Sequence, residues 1–142
     1  MFWKMIQITA QPIDASALIA RATHAEAGGL VVFVGNVRNY NARVGKQVLR
    51  LEYEAYDAMA VKEMEKIMAE AHAQWPIKAW ALSHRTGTVH PGEAAVVLAV
   101  TTPHRQESFE ACQFIMNQLK GRVPIWKKEV FADGEEWVSA HP

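Results

Sequence analysis

The chain has 142 residues, of which half are hydrophobic and 21% are charged, as is usual for a soluble globular protein. Fifteen Lys and Arg residues balance fifteen Asp and Glu residues, so the formal net charge is zero. Neutrality argues against a general nucleic-acid binder, which needs a net positive field. The length favours a single domain, which we predict to span residues 1–142.

The one cysteine, Cys112, excludes an internal disulfide and suits a reducing compartment. It falls in an apolar helical stripe, which predicts a buried core residue rather than a nucleophile. No apolar run approaches the ~20 residues that cross a bilayer, and the first residues are too mixed for a secretory signal. We therefore expect a cytoplasmic protein. The six histidines lack metal-ligand spacing, so we expect no metal site.

Strand and helix patterns alternate through the first part of the chain. Residues 4–9 alternate like a short strand, and Asp14 can cap a helix over residues 15–24. Residues 30–34 form a continuous apolar run, which predicts a strand buried on both faces. Residues 35–46 are polar and punctuated by glycine, so they predict a long loop.

The middle of the chain predicts a strand, a helix and a pair of strands. Residues 47–56 alternate between apolar and polar side chains, as in a strand with one wet face. Asp57 can cap a helix that runs to about Trp75. Residues 77–83 and 94–100 predict two further strands, paired as a hairpin.

The last third predicts one long helix and two strands. Thr102 is expected to cap a helix that begins at Pro103 and ends at Gly121. Its predicted buried face consists of Phe109, Cys112, Ile115, Met116 and Leu119. Residues 125–130 and 136–138 predict the final strands. This order of elements predicts an α+β fold with a largely antiparallel sheet and the helices on one side.

Basic side chains gather at the two ends of the long helix. His104 and Arg105 lie near its start, where unpaired N–H groups and the helix dipole favour an anion such as phosphate. The alternative is a pair of solvated surface residues. Arg38 follows Gly35-Asn36-Val37, where glycine allows a close approach and arginine can clamp an oxyanion.

Lys120 and Lys127 lie at and beyond the other end of the helix. Lys120 can simply complement the helix dipole, and Lys127 can be an edge-strand lysine that discourages aggregation. Strand alternation, however, puts Lys127 on the same face as Ile125 and Glu129. Partial burial there would lower the lysine pKa and make it usable as an acid, a base or a nucleophile.

Several of these segments together resemble the large, catalytic subunit of molybdopterin synthase. The matching pieces occur in the family's order and cover about residues 28–138. They are residues 33–39 (Phe-Val-Gly-Asn-Val-Arg-Asn), 51–56 (Leu-Glu-Tyr-Glu-Ala-Tyr), 84–87 (His-Arg-Thr-Gly), 101–105 (Thr-Thr-Pro-His-Arg), 109–111 (Phe-Glu-Ala) and 120–129 with its Pro-Ile-Trp-Lys-Lys-Glu core. Each piece alone is weak, whereas the ordered set is specific. The resemblance implies an α/β-hammerhead type of α+β fold.

The resemblance also implies a function in molybdenum cofactor biosynthesis. Such enzymes transfer sulfur from the thiocarboxylated C-terminal Gly-Gly tail of a small ubiquitin-like subunit to cyclic pyranopterin monophosphate, giving the dithiolene of molybdopterin. The family works as a heterotetramer around a homodimer of the large subunit. Cys112 is not needed for the reaction, because the partner brings the sulfur, and we expect no cofactor. Nucleic acid and membrane are not among the implied partners.

The resemblance further implies which residues form the site. The family's essential lysines match Lys120 and Lys127. Its substrate-contacting positions match Asn36, Val37, Arg38, His104, Arg105, Lys128 and Glu129 as well. Tyr40 stands where a histidine is common in the family, and the stretch 41–46 is longer than usual, so the resemblance assigns no contacts there.

The length of the predicted helix separates these residues into two groups. His104 and Lys120 are sixteen residues apart, or roughly 24 Å along one helix. One small substrate cannot easily touch both from the same chain. We therefore predict a composite site, with Arg38, Lys120 and Lys127 from one subunit and His104 and Arg105 from its dimer mate. A non-catalytic module that binds a phosphorylated metabolite is the alternative, since it would use the same cations.

Overall fold

A computed structural model describes residues 3–139, so the first two and last three residues of the predicted domain lie outside the described part. The described elements follow in chain order: β1 (Trp3–Thr9), α1 (Ala15–Ala22), β2 (Gly29–Asn36), β3 (Tyr40–Asn41), β4 (Lys46–Gln47), β5 (Arg50–Ala55), α2 (Asp57–Gln74), β6 (Ala79–Arg85), β7 (Gly87–Val89), β8 (Ala94–Thr102), α3 (Arg105–Arg122), β9 (Ile125–Phe131) and β10 (Gly134–Ser139). Among these helices, none is long and apolar enough to cross a membrane.

The strands form two four-stranded sheets and one small hairpin. The first sheet has the order β1-β6-β8-β2, the second has the order β10-β9-β5-β7, and β3 pairs with β4. Within residues 3–139, β1 and β6 are parallel and the other pairs are antiparallel. The predicted α+β class with a largely antiparallel sheet is therefore confirmed.

Helices cover both faces of the first sheet, so the expected one-sided arrangement is wrong. Leu82 and Leu98 pack in the main core with residues of α2 and α3. Ala81 and Val97 point the other way and pack with Leu18 of α1. The cause is that β6 and β8 are central strands with apolar side chains on both faces, and each face needs a cover.

The apolar strand β2 lies at the edge of the first sheet, where one side has no pairing strand in the described chain. Val32, Phe33 and Val34 are 37%, 41% and 38% exposed. The expectation of a strand buried on both faces is therefore wrong for the single chain, because the apolar run does not determine whether a strand is central or at an edge.

The ends of the helices are partly as predicted. Asp14 caps α1 by accepting a hydrogen bond from the Ala17 N–H at 3.3 Å, which confirms the prediction. The predicted start and end of α3 are both wrong: the helix begins at Arg105 after an N-cap at His104, and it continues through Gly121 to Arg122. Phe109, predicted to be buried, is 60% exposed.

Candidate active site

A cavity of about 510 Å³ opens where the last residues of β2, the end of α3 and the inner face of β9 meet. Three cationic side chains line it: Arg38 just beyond β2, Lys120 in the last turn of α3 and Lys127 on β9. Asn36 and Gly35 form part of the same wall. The structure thus brings together four of the predicted site residues, and three of them are positively charged. An anion of metabolite size is the ligand that this arrangement favours.

Lys127 faces the cavity because β9 alternates as predicted. Ile125 is buried on this inner face, and Lys127 is half-buried directly opposite Tyr53 of β5. Burial lowers the pKa of Lys127, and the charges of Arg38 and Lys120 lower it further against the attraction of Glu129. The ammonium of Lys127 therefore releases its proton more readily than that of an exposed lysine.

Glu129 lies behind the cavity, two residues along the same face of β9. It is 8% exposed and accepts a hydrogen bond from Asn41 Nδ2 at 2.7 Å. That bond attaches the β3–β4 hairpin to the second sheet. Burial and the charge of Glu129 raise the pKa of Tyr53 to about 12. Tyr53, which also lines the cavity, is therefore a neutral phenol at physiological pH.

Lys128 points to the opposite face of β9, away from the cavity. Its Nζ lies 3.3 Å from a Glu52 carboxylate oxygen and 3.5 Å from one of Glu135. It also lies 5.3 Å from the ring centroid of Trp137. The hydrogen bond to Glu52 raises the pKa of Lys128. In the single chain, Lys128 holds three strands together and does not join the other predicted site residues.

Val37 is buried in the core rather than on the cavity wall. Its N–H donates to the Glu93 carbonyl at 3.0 Å, and its own carbonyl accepts from the Gly92 N–H at 2.8 Å. The side chain is 4% exposed. Val37 thus anchors the backbone between Asn36 and Arg38, both of which reach the cavity.

His104 and Arg105 lie at the other end of α3. They line a separate, open hollow of about 740 Å³ together with Phe109. Ser108 Oγ donates to the Gly29 carbonyl at 2.8 Å and lies 2.6 Å from Thr102 Oγ1. A Cβ atom on Gly29 would lie 2.7 Å from Arg105 Cα, so only glycine permits this close approach.

The two groups of predicted site residues do not meet within one chain. The helix α3 has eighteen residues, which at about 1.5 Å each separate its ends by about 27 Å. Another cation of this helix, Arg122, is bound by acids of α2, with contacts of 2.7 Å and 2.8 Å to Glu70 and 3.0 Å to Glu63. Arg122 therefore fixes α3 to α2 and adds no charge to the cavity.

The cavity includes neutral residues that the sequence motifs do not predict as site residues, among them Tyr53 and His84. Nothing in the local sequence around His84 indicates a ligand. The only signal that could have found it is its place in the matched His-Arg-Thr-Gly segment. Cys112 is buried as predicted, and burial raises the pKa of its thiol to about 11. Such a thiol is a poor nucleophile.

The fold and the cavity define an α+β protein with a cationic site for a small anionic ligand. The profile of the family described as MoaE protein matches residues 8–122. The chain is 43% identical over 132 residues to the molybdopterin synthase catalytic subunit of Bacillus subtilis, covering 93% of this chain and 83% of the relative. It is 45% identical over 120 residues to that of Pyrococcus abyssi, covering 84% and 80%.

A solved structure agrees with these relatives. Molybdopterin synthase from Staphylococcus aureus superposes with a TM-score of 0.87 at 35% identity, covering 92% of this chain and 94% of that chain. The chain belongs to the MoaE protein family.

Proposed function

We propose that this chain is the catalytic subunit of a molybdopterin synthase. It acts as a cytoplasmic sulfurtransferase that moves sulfur from the thiocarboxylated C-terminus of a small Gly-Gly-ended subunit to cyclic pyranopterin monophosphate. The observation that carries the proposal is the cavity in which Arg38, Lys120 and Lys127 converge. Family membership adds the reaction, since the relatives are named as catalytic subunits of this enzyme.

Each cavity residue has the role in the reaction that its environment favours. Arg38 offers a planar pair of donors to the substrate phosphate or to another oxyanion. Attack by the thiocarboxylate sulfur builds negative charge, which the ammonium of Lys120 stabilises from the end of α3. As the new C–S bond forms and the C–O bond on the same carbon breaks, Lys127, with its lowered pKa, donates a proton to the departing oxygen. Water then cleaves the thioester that joins the substrate to the small subunit, so that the sulfur stays on the substrate and the small subunit leaves as a carboxylate. Asn36 orients the substrate beside them.

The complete site is formed by two copies of the chain. The exposed edge of β2 carries Val32, Phe33 and Val34, which suits pairing with the same edge of a second copy. A two-fold axis between Val32 and Phe33 would place Gly29 of one copy opposite Asn36 of the other. Gly29 touches Arg105, whereas Asn36 lines the cavity.

This pairing would bring together residues from opposite ends of α3, one end from each subunit. The eight residues of β2 span about 27 Å at about 3.4 Å each, which equals the length estimated for α3. Antiparallel pairing therefore brings His104 and Arg105 of one subunit to the cavity of its mate. Each dimer then holds two sites, and one small subunit at each gives the heterotetramer.

Turnover with defined components tests the function. The chain is mixed with thiocarboxylated small subunit and cyclic pyranopterin monophosphate, and dithiolene product is measured. We expect product with the thiocarboxylate and none with the unmodified carboxylate. A protein that binds the phosphate compound but never forms product would be the non-catalytic binding module instead. Full activity in Lys120→Ala would exclude the role given to that lysine.

Subunit mixing tests the shared site. Lys120→Ala and His104→Ala chains are each expected to be inactive as pure dimers. After exchange, half of the dimers are mixed and each mixed dimer has one intact site, so about a quarter of wild-type activity returns. Two copies of the Lys120→Ala chain, carried through the same exchange, serve as the control. Activity that stays at the level of this control would contradict the composite site.

A further inference from the structure

The cavity contains a histidine to which the proposed chemistry gives no role. His84 is the sixth residue of β6 and lines the same cavity as Lys120 and Lys127. Its ring meets the Tyr53 ring edge-on, with 5.2 Å between centroids. The alternative to a functional role is a core histidine whose polar atoms are all satisfied, so the two ring nitrogens must be considered separately.

The tautomer of His84 follows from one hydrogen bond. Its Nδ1 lies 2.8 Å from the Arg85 carbonyl oxygen. A carbonyl oxygen can only accept, so Nδ1 carries the hydrogen. Burial lowers the pKa of His84 to about 4, and the imidazole is therefore neutral at physiological pH. Nε2 consequently presents a lone pair and acts as a hydrogen-bond acceptor.

That acceptor has no partner within residues 3–139, and it is not sealed inside the protein either. The Nδ1 contact is the hydrogen bond found for this ring in the described part of the chain. Across the same residues, the buried side-chain nitrogen or oxygen left without a partner is Arg85 Nε. His84 Nε2 is not such a sealed atom, and His84 lines the cavity, so the cavity is where a partner for Nε2 can reach it. A core histidine with both nitrogens satisfied by the described residues is excluded.

The side chains near His84 indicate which part of the ligand its Nε2 contacts. The cavity also has neutral lining residues, among them Tyr53, Met64, Met116 and Leu119, and the Tyr53 ring contacts the His84 ring. The three cations of the cavity attract the phosphate, whereas these neutral side chains suit a flat heterocycle. A pterin carries ring N–H and amino donors, and the unprotonated Nε2 of a neutral His84 is an acceptor that one of them can reach.

We propose that His84 is a substrate-contacting residue that accepts a hydrogen bond through Nε2 from an N–H group of the pterin ring. This inference rests on the proposed function, because it takes the pterin as the ligand. It assigns His84 to recognition of the heterocycle, apart from the phosphate contacts of Arg38 and the lysines. Tyr53 meets the His84 ring edge-on and helps to fix its position.

Two substitutions at His84 test the roles of Nδ1 and Nε2 separately. The amide of His84→Asn can still donate to the Arg85 carbonyl from the position of Nδ1, but it offers no acceptor at the position of Nε2. The longer His84→Gln side chain can place its oxygen near Nε2. We expect His84→Asn to bind cyclic pyranopterin monophosphate about tenfold more weakly, with much of the loss restored in His84→Gln. Affinity for inorganic phosphate, measured by the same titration calorimetry, should stay unchanged in both.

The outcomes distinguish this inference from the proposed function. Equal weakening for phosphate and for the pterin compound would indicate a structural role and overturn the inference. So would a His84→Asn variant that binds and turns over like wild type. A wild-type protein that neither binds the pterin nor forms product would overturn the proposed function itself.

A measurement on the unmodified protein decides the matter if the variants do not fold. Ring ¹⁵N spectra of wild type should show the Nδ1–H tautomer, and the Nε2 signal should shift when the pterin compound is added. Inorganic phosphate alone should leave that signal in place. An Nε2 signal that ignores the pterin compound would overturn the inference.

Discussion

Lys127 and Lys128 are adjacent in the sequence but lie on opposite faces of β9. Lys127 is half-buried in a cavity beside two other cations, and its pKa is lowered. Lys128 lies on the other face of the same strand, paired with Glu52 and Glu135, and its pKa is raised. One residue step along β9 therefore changes both the partners and the proton affinity of a lysine.

The difference teaches that charge alone does not define the site. Both lysines belong to the same basic segment of the sequence, and so does Arg122. Acids neutralise Lys128 and Arg122, whereas the cavity leaves Lys127 facing like charges. A cation that is held near other cations gains most from an incoming anion, and this is the property that a substrate site needs.

The largest expected effect is on turnover. Lys127→Ala should lower kcat by ~10²–10³-fold, because it removes a proton donor and a positive charge from the cavity. Lys128→Ala should lower kcat less than about tenfold, since its effect passes through the packing of β9. Single-turnover kinetics with saturating small subunit give the comparison. Equal losses of kcat in the two variants would contradict the assignment of the catalytic role to the inner face of β9.

The pH dependence of anion binding should follow Lys127. The protonated lysine attracts phosphate, so affinity weakens as pH rises through a pKa that lies below the ordinary 10.5. Bound phosphate raises that pKa in return, because it favours the charged form. Calorimetric titration with inorganic phosphate at increasing pH measures the effect. Lys127→Arg, which stays protonated, should lose this part of the dependence, while Lys128→Arg should keep it.

A smaller effect is expected from the acid behind the cavity. Glu129 opposes the lowering of the Lys127 pKa, so Glu129→Gln should lower that pKa further. The pH profile of kcat then moves toward lower pH. Glu135→Gln, on the outer face, is the matched control and should leave the profile in place. A shift in both variants would show that distance from Lys127 does not matter.

The smallest effect is expected on stability from the outer face. Lys128→Met should change the melting temperature only slightly, because Lys128 and Glu52 are partly open to solvent and Glu135 is exposed, so that water screens both ion pairs. Glu52→Gln should behave alike. Thermal melting by circular dichroism at low and high salt checks both. A large loss of melting temperature would mean that the three-strand contact around Lys128 is a main support of the second sheet.

Local rules predict much of the fold. The Asp14 cap, the extent of α2 and the alternation of β9 all depend on residues close in sequence. The same alternation correctly put Lys127 with Ile125 on the inner face. These predictions succeed because periodicity and capping act within one element.

Features that depend on distant partners could not be predicted from local patterns. The edge position of β2 depends on which strands pair with β8. The packing of the first turn of α3 against β2 includes the hydrogen bond from Ser108 to the Gly29 carbonyl, a contact across 79 residues. His84 reaches the cavity only because β6 and β5 bring it beside Tyr53. Each case is a long-range contact that leaves no periodic trace in the sequence.

The close contact at Gly29 predicts which pairs of mutant alleles complement each other in one cell. It admits no side chain because Arg105 lies against it, so Gly29→Ala would displace the start of α3. In the proposed dimer, the displaced His104 and Arg105 belong to the cavity of the partner subunit. That cavity is therefore damaged, whereas the cavity of the altered subunit is not. A Gly29→Ala allele should therefore complement a Lys120→Ala allele when both are expressed in one cell. It should fail to complement His104→Ala, because those two lesions damage the same contribution.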